Sequence, residues 1–169
     1  MSSGRGGIPA PFTGHSAIVC PEWIDENGHM NLAHYVTVFD GATDLLWAAI
    51  GLGEEYRQRT GHGTFAVETH ILYRAELLLG DKVRIASQIL GADAKRLHVA
   101  HEMRRADNGL IVAQQEIMLL HVNLETRNVV PFLTDSAATT TAAAQSHAGL
   151  PRPEWVGRRI AMPGAPSPA

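Results

Sequence analysis

The sequence is poor in cysteine, in aromatic residues and in net charge. Its single cysteine, Cys20, cannot form an intramolecular disulfide, which is typical of a protein from the reducing cytoplasm, and such a thiol is more often a packing residue than a nucleophile. The net charge of −3 gives no reason to expect nucleic acid or an anionic membrane as a partner. No apolar run approaches the ~20 residues that a membrane span needs. Residues 1–14 lack the apolar core of a signal peptide and are interpreted as a flexible lead.

What is present is enough apolar material for one domain. Of the 169 residues 45% are hydrophobic, and we place the domain at residues 15–133. The run "HSAIVC" (15–20) predicts a first strand. From Leu32 to Ile50 the apolar residues recur at helical spacing, which predicts a helix of about nineteen residues and roughly 28 Å. Asn31 is a favourable N-cap for this helix, and Gly51 is a favourable C-terminal stop.

After residue 64 the apolar period changes to two, which predicts a strand over residues 65–79. One face of this strand is apolar and the other is polar. The apolar face comprises Phe65, Val67, Ile71, Tyr73, Ala75, Leu77 and Leu79, and the polar face comprises Glu68, His70, Arg74 and Glu76. Turn signals at Gly80-Asp81 and Asn108-Gly109 help to delimit three further strands at 82–90, 95–106 and 110–123.

These elements predict an α+β fold. Four antiparallel strands are expected to follow one another as a meander, and the long helix is expected to cover the apolar face of the sheet. Residues 134–169 combine an alanine/threonine stretch with a proline-rich end. They predict a short helix and then a tail that lies on the surface or on a neighbouring molecule.

The most polar short segment, "DENGHMN" (25–31), directly precedes the long helix. Residues of this kind most often form only a turn, here an Asx-turn at Asp25 with Asn31 as the helix cap. A chemical role is the less common alternative, because a carboxylate such as Asp25 can attack a carbonyl group or deprotonate a water molecule. The backbone N–H groups at the start of the helix are suited to stabilise a developing oxyanion.

Residues 15–133 resemble the hot-dog thioesterases of the 4-hydroxybenzoyl-CoA thioesterase type, in which an antiparallel sheet wraps around one long helix. The resemblance rests on D-x-x-G-H-x-N before that helix, and it implies that Asp25 is the catalytic carboxylate. The same segment is similar to the Asp-x-Asn-x-His-x-Asn motif of plant acyl-carrier-protein thioesterases, which implies supporting roles for Asn27 and His29. The segment "YRAE" (73–76) resembles a second motif of those plant enzymes and adds Glu76 to the implied catalytic residues.

The longest resemblance is to the thioesterases encoded with, or fused to, carnitine dehydrogenase, which act on betainyl-CoA. It rests on the segments "PEWIDENGHMN", "FDGATDLL", "DAKRLHVAHEM" and "EIMLLHVN". It implies an acyl-CoA thioesterase that releases a free acid and CoA, with no cofactor beyond the CoA of the substrate. Because the site of this fold lies between two subunits, a homodimer or tetramer is expected. Two positions depart from relatives, since Trp23 replaces a second acid and Leu32 replaces a second asparagine.

Further residues are candidates for substrate binding. Asn31 and Tyr35 lie at the start of the helix, Glu68 and His70 are candidates for a second wall of the pocket, and Lys95 and Arg96 are candidates for holding the CoA phosphates. Trp23 and Trp47 are candidates for binding a quaternary ammonium group, through cation–π attraction of roughly 0.5–2 kcal/mol each. Each candidate also has a simpler explanation, because tryptophans near a helix usually pack in the core and charges on a strand are usually solvated.

The nine histidines raise the question of a metal site. The segment "HEMRR" (101–105) lacks the second histidine of a zinc helix, and His98 and His101 are expected on opposite faces of a strand, so we expect no metal. Two other functions stay open: a hydratase or dehydratase, for which His34 and Asp40 would be a candidate pair, and a non-catalytic acyl-CoA binding protein. The acyl group, nucleophilic or general-base attack, and dimer or tetramer also stay open at this point.

Overall fold

Helix α1 spans Leu32–Ala49 and is the long helix that the sequence predicts. The side chain of Asn31 accepts a hydrogen bond from the backbone N–H of Ala33 at 3.0 Å, so Asn31 caps the helix as expected. The chain turns away after the helix at Gly51, whose φ of 77° favours glycine. The computed structural model describes residues 8–162, so residues 1–7 of the predicted lead and 163–169 of the predicted tail lie outside the described residues.

Five strands, two further α-helices and a 3₁₀ helix at Pro21–Trp23 accompany α1 in the described part of the chain. The strands are β1 (Phe12–Ile18), β2 (His62–Tyr73), β3 (Lys82–Ala92), β4 (Arg96–Arg105) and β5 (Ile111–Asn123), and the helices are α2 (Glu54–Thr60) and α3 (Thr134–His147). The predicted α+β class, the predicted hairpin at Asn108-Gly109 and the predicted helix after residue 133 are therefore confirmed. Strand β1 begins before His15, the predicted first residue of the domain.

The strand order corrects one prediction. The described strands form one antiparallel sheet in the order β1-β3-β4-β5-β2, so only β3, β4 and β5 form a meander. Strand β2 lies at the edge beside β5, and residues 74–81 lead from it back across the sheet to β3. The predicted strand over 65–79 is also too long, because the N–H groups of Arg74 and Ala75 both bond to the carbonyl of Val112 and end the ladder.

A β-bulge corrects the predicted faces of β2. The register with β5 shifts between Ala66 and Glu68, so Val67 is an extra residue on the edge strand. As a result Phe65 lies on the same face as Glu68 and His70, whereas the alternating pattern placed it with Ile71. The extra residue leaves the alternation in the sequence unchanged. It nevertheless moves each side chain of β2 that precedes it to the opposite face of the sheet.

Helix α1 covers one side of the sheet, called here the inner face, on the β1 and β3 side. Two core clusters lie between α1 and this face. The first, at the N-terminal half of α1, includes Val19, Met30, Tyr35, Phe39, Leu77, Val83 and Met103. The second, at the C-terminal half, includes Leu46, Trp47, Ile89, Leu97, Leu119 and Phe132. These clusters define two ends of the molecule.

The opposite side of the sheet, the outer face, carries polar pairs and part of the C-terminal segment. His98 contacts Glu116 there at 2.7 Å, whereas His101 is fully buried on the inner face, as the strand alternation predicts. The second carboxylate oxygen of Glu116 accepts a hydrogen bond from the N–H of Gly157 at 2.6 Å. Residues around 157 therefore lie on the outer face of the sheet.

No single helix within residues 8–162 is long and apolar enough to cross a membrane. Helices α1 and α2 meet the length and composition criteria only when taken together, as a pair bent by 63°.

Candidate active site

The segment from Asp25 to Asn31 forms a tight loop that leads directly into α1. The carboxylate of Asp25 accepts a hydrogen bond from the N–H of Asn27 at 2.9 Å, and the carbonyl of Asp25 accepts one from the N–H of Gly28 at 3.0 Å. The loop closes where the N–H of Asp25 donates to the carbonyl of His29 at 3.0 Å. Gly28 has φ of 80°, which its lack of a side chain permits. The Asx-turn that the sequence allowed is therefore present.

The Asp25 side chain is mostly buried but keeps some exposure to solvent, and it is also part of this turn. Its side chain is 19% exposed, and its Oδ1 lies 3.9 Å from Nδ1 of His29, which is 36% exposed. Within residues 8–162, no donor forms a hydrogen bond with its second oxygen, Oδ2. One oxygen of the carboxylate thus holds the turn, and the other remains able to approach a ligand.

The loop is fixed at its end by backbone hydrogen bonds. The N–H of Asn31 donates to the carbonyl of Trp23 at 2.8 Å, and the N–H of Met30 donates to the carbonyl of Leu77 at 2.7 Å. Asn31 then engages the first turn of α1, since its side chain accepts from Ala33 and its carbonyl accepts from the N–H of His34 at 3.0 Å. The loop that carries Asp25 is therefore fixed against the N-terminus of α1.

The structure brings the segment "YRAE" (73–76) to this loop. Beyond the bond from Met30 to Leu77, the Tyr73 hydroxyl donates to the carbonyl of Leu32 and the Tyr35 hydroxyl donates to the carbonyl of Ala75, each at 3.4 Å. Tyr35 is only 3% exposed, and its burial raises the pKa of its phenol. Two motifs that are separated by more than forty residues thus form one surface.

Trp23 lies on the same surface. It stacks on the ring of His34 with 5.5 Å between centroids and 12° between planes, and it also packs partly against the first core cluster. His34, the histidine considered for a hydratase, is thereby in contact with an indole, and Asp40 is an exposed residue of α1.

Several predicted binding residues lie elsewhere in the single chain. Trp47 is 5% exposed within the second core cluster, which is the packing role that the sequence left open. Arg96 pairs with Asp93 at 2.7 Å in the turn between β3 and β4, next to Lys95. This turn lies at the start of β4. Arg105, at the end of β4 that is nearer to the Asp25 loop, is about 30 Å away at ~3.4 Å per strand residue. Glu68 and His70 lie on the outer face of β2.

Two residues that no sequence motif indicates also help to hold the loop in place. Arg105 forms an ion pair with Asp81 at 2.8 Å, and both side chains are about four-fifths buried. Residues 77–81 bond to the backbone of Met30, in the loop, and of Val19, which precedes it. Arg105 stands in "HEMRR", which was considered only as a metal motif, and no local pattern indicates its partner.

A cavity of about 510 Å³ lies far from this loop, between the C-terminal end of α1 and α3. Ala49, Gly51, Asp135 and Thr139 are among the residues that line it, and Asp25 is not. We place the candidate site at the loop and not at that cavity. The loop carries ionisable and polar side chains that can take part in hydrolysis, whereas the cavity is lined mainly by small apolar residues. Within residues 8–162 no group of three potential metal ligands is close enough to hold an ion.

Comparison with protein families matches residues 19–145 to the thioesterase-like superfamily. A betainyl-CoA thioesterase from Pseudomonas aeruginosa is 42% identical over 152 residues, which cover 90% of this chain and 96% of that protein. An L-carnitine dehydrogenase/betainyl-CoA thioesterase from Ruegeria pomeroyi is 35% identical over 156 residues, which cover 92% of this chain and 31% of that longer protein.

Two solved structures are similar over nearly the whole chain. A protein from Staphylococcus aureus, solved in complex with CoA, has a TM-score of 0.83 and 27% identity over 94% of this chain and 100% of that one. A putative thioesterase from Pseudomonas putida has a TM-score of 0.78 and 35% identity over 93% of this chain and 99% of that one. The expected hot-dog fold, with its sheet wrapped around one long helix, is confirmed.

Proposed function

The chain belongs to the thioesterase-like superfamily and is an acyl-CoA thioester hydrolase, and we propose that its substrate is betainyl-CoA. The observation that carries thioester hydrolysis is the loop at Asp25, which leads into the N-terminus of α1 and lies beside the segment at Glu76. The similarity to a betainyl-CoA thioesterase supports the choice of acyl group. The products would be the free acid, betaine, and the CoA thiol.

We assign the reacting carboxylate to Asp25. In one route its oxygen attacks the thioester carbonyl, the thiolate leaves, and water hydrolyses the resulting anhydride. In the other route Asp25 takes a proton from water, and the hydroxide attacks the carbonyl carbon and displaces the thiolate. In both routes the same carbonyl oxygen gains negative charge, and the free oxygen of Asp25 is the reacting atom.

The developing negative charge is assigned to the N-terminus of α1. Asn31 engages the N–H groups of Ala33 and His34, so the N–H of Leu32 is the donor that we assign to the oxyanion. Loss of one such donor typically costs about 3 kcal/mol of transition-state stabilisation. The partial positive charge of the helix N-terminus acts in the same direction.

Supporting roles go to three polar side chains of this surface. Asn27 and His29 follow Asp25 in the loop and are assigned to orient the water or the thioester. Glu76, an exposed residue next to Leu77, is assigned as a second carboxylate at the site. No cofactor enters the proposal beyond the CoA that the substrate carries. A cytoplasmic location remains a prediction from the single cysteine.

We also propose a homodimer that completes the site along β2. Among residues 8–162 this edge strand has no neighbour on one side, and Val67 is 54% exposed on it. Leu32 and Val36 on α1 are 63% and 41% exposed. An unpaired edge strand beside exposed apolar side chains is a surface that proteins normally cover, and a symmetric contact between copies covers it on both.

Dilution below the dissociation constant of the dimer should reduce specific activity if each site needs two subunits. Val67→Lys should shift that loss to higher protein concentration, because a charge on the edge strand opposes pairing. Sedimentation and thiol release measured over the same concentrations test this. Ile160→Lys is the control for a charge added at an exposed apolar residue, since Ile160 is 93% exposed and is not part of β2. A monomer with full specific activity would rule out the shared site.

Trp23→Leu should lower kcat/KM for betainyl-CoA by up to roughly thirtyfold, which corresponds to ~2 kcal/mol of lost cation–π attraction. The neutral substrate tert-butylacetyl-CoA has the same shape without the charge, so its kcat/KM should change much less. The ratio between the two substrates cancels general damage to the fold. Trp47→Leu, a core change, should affect both substrates alike. Equal losses of kcat/KM for the two substrates in Trp23→Leu would contradict the proposed contact between Trp23 and the quaternary ammonium group.

A further inference from the structure

The stretch from Val19 to Met30, which contains Asp25, is held at both of its ends by one short segment, residues 76–81. At the first end, the N–H of Val19 donates to the carbonyl of Asp81 and the N–H of Gly80 donates to the carbonyl of Val19, each at 2.9 Å. At the second end, the N–H of Met30 donates to the carbonyl of Leu77 at 2.7 Å. The position of Asp25 between these two ends therefore depends on where the segment lies.

Arg105, the last residue of β4, holds that segment at two points. One guanidinium nitrogen donates to Oδ1 of Asp81 at 2.9 Å, and the other lies 2.8 Å from Oδ2. The second nitrogen also donates to the carbonyl of Glu76 at 3.0 Å. Oδ2 of Asp81 in turn accepts the N–H of Leu78 at 2.7 Å. The guanidinium thus connects the beginning and the end of the segment to the sheet.

Burial makes this connection stiff. The side chains of Arg105 and Asp81 are 19% and 20% exposed, so water competes for the pair less than it does at an open surface. A planar guanidinium forms two parallel bonds to one carboxylate and still has a donor for a carbonyl. A lysine ammonium is a single point of charge and cannot reproduce this arrangement.

We propose that Arg105 is a positioning residue for thioester hydrolysis, acting on Asp25 through Asp81 and the backbone of residues 76–81. The inference rests on the proposed function of Asp25. Arg105 is not assigned a contact with the substrate, so its effect falls on how well the carboxylate is aimed and not on how tightly CoA binds. A displacement of about 1 Å at a reacting group can reduce the rate by roughly a hundredfold.

The test compares neighbouring arginines of β4. Arg105→Ala and Arg105→Lys should lower kcat about 10- to 100-fold, with the lysine variant less affected, while KM changes by less than about threefold. Arg104→Ala is the control, because Arg104 also pairs with a carboxylate, Glu102 at 2.7 Å, but on the outer face of the sheet. Its kcat should stay within about twofold of the wild type.

Two further measurements separate positioning from simple stability. Millimolar guanidinium should restore part of the kcat of Arg105→Ala, and the same concentration of sodium chloride should not. Asp81→Asn should lower kcat as well, and the double variant with Arg105→Lys should lose less than the product of the two single losses, since both remove the same contact.

Each of these measurements either supports or overturns the positioning role of Arg105. An unchanged kcat in the Arg105 variants overturns the proposal. So does a loss of kcat that follows the fall in Tm and is not restored by guanidinium, because that pattern is a stability effect. Failure of the proposed function has a different signature, namely wild-type protein that releases no thiol from any acyl-CoA.

Discussion

Asp25→Asn is expected to lower kcat about 10²- to 10⁴-fold and to leave the fold intact. Asparagine keeps the side-chain oxygen that accepts the N–H of Asn27, so the turn survives the change. The amide is neither an effective nucleophile nor a general base, so the chemical step loses its reacting group in either proposed route. KM should change far less than kcat, because the carboxylate is assigned to the reaction and not to binding.

Asp93→Asn provides the matched control for this change. The carboxylate of Asp93 accepts the N–H groups of Lys95 and Arg96 at 2.9 and 2.8 Å, so it too caps a turn, but at the other end of the sheet. The control should lose some stability and keep its kcat. Steady-state thiol release and Tm for both variants separate turn formation from chemistry. Turnover near the wild-type value in Asp25→Asn would contradict the catalytic assignment.

The largest expected effect on stability comes from His101, which is fully buried beneath α1. Its Nδ1 lies 2.8 Å from the hydroxyl of Ser87, and its Nε2 lies 3.1 Å from the hydroxyl of Thr43. Burial lowers the pKa of His101 from 6.5 to about 3. The folded protein therefore keeps this imidazole neutral over the whole range in which the unfolded chain takes up a proton.

The sign of the pH dependence follows from this difference. Above pH 6.5 both states are neutral at this residue, and its contribution is constant. As the pH falls from 6.5 toward 3, the unfolded state gains a proton that the folded state excludes, so the free energy of unfolding falls by about 1.4 kcal/mol per pH unit. Between pH 7 and pH 5 the loss from His101 alone is about 2 kcal/mol. His121 and His147, whose pKa values burial also lowers, add to the same trend.

Urea unfolding at a series of pH values measures this slope. His101→Gln should reduce the slope of the free energy of unfolding against pH by the equivalent of about one bound proton, because glutamine does not titrate. This holds whatever the effect of the substitution on absolute stability. A slope in the variant equal to that of the wild type would show that His101 does not carry the effect.

The sequence predicts the elements that depend on local signals. The helical spacing after Asn31, the cap itself and the hairpin at Asn108-Gly109 are local, and the structure has all three. The loop at Asp25 is equally local, since its Asx-turn involves residues two apart. What these parts share is that a few neighbouring residues determine their conformation.

The errors arise where contacts are distant in the chain. Residues 74–79 continue the alternation of a strand. The pattern therefore does not reveal that the chain leaves β2 there and crosses to β3, near the opposite edge of the sheet. The bulge at Val67 also preserves the alternation, because an extra apolar residue looks like the next member of the pattern. The pair of Arg105 with Asp81 depends on the register of β4 with β3, which brings Arg105 beside Val83. No spacing within either segment encodes that register.

The measurement that tests the central claim most directly is thiol release from a panel of acyl-CoA esters by the purified wild-type protein. Betainyl-CoA and tert-butylacetyl-CoA are compared as a charged and a neutral ester of the same shape. We expect hydrolysis of betainyl-CoA with a kcat/KM at least about tenfold above that of the neutral ester, a difference of about 1.4 kcal/mol. Equal values for the two esters would contradict the proposed substrate, and release of no thiol from any ester would contradict the account of Asp25 as a whole.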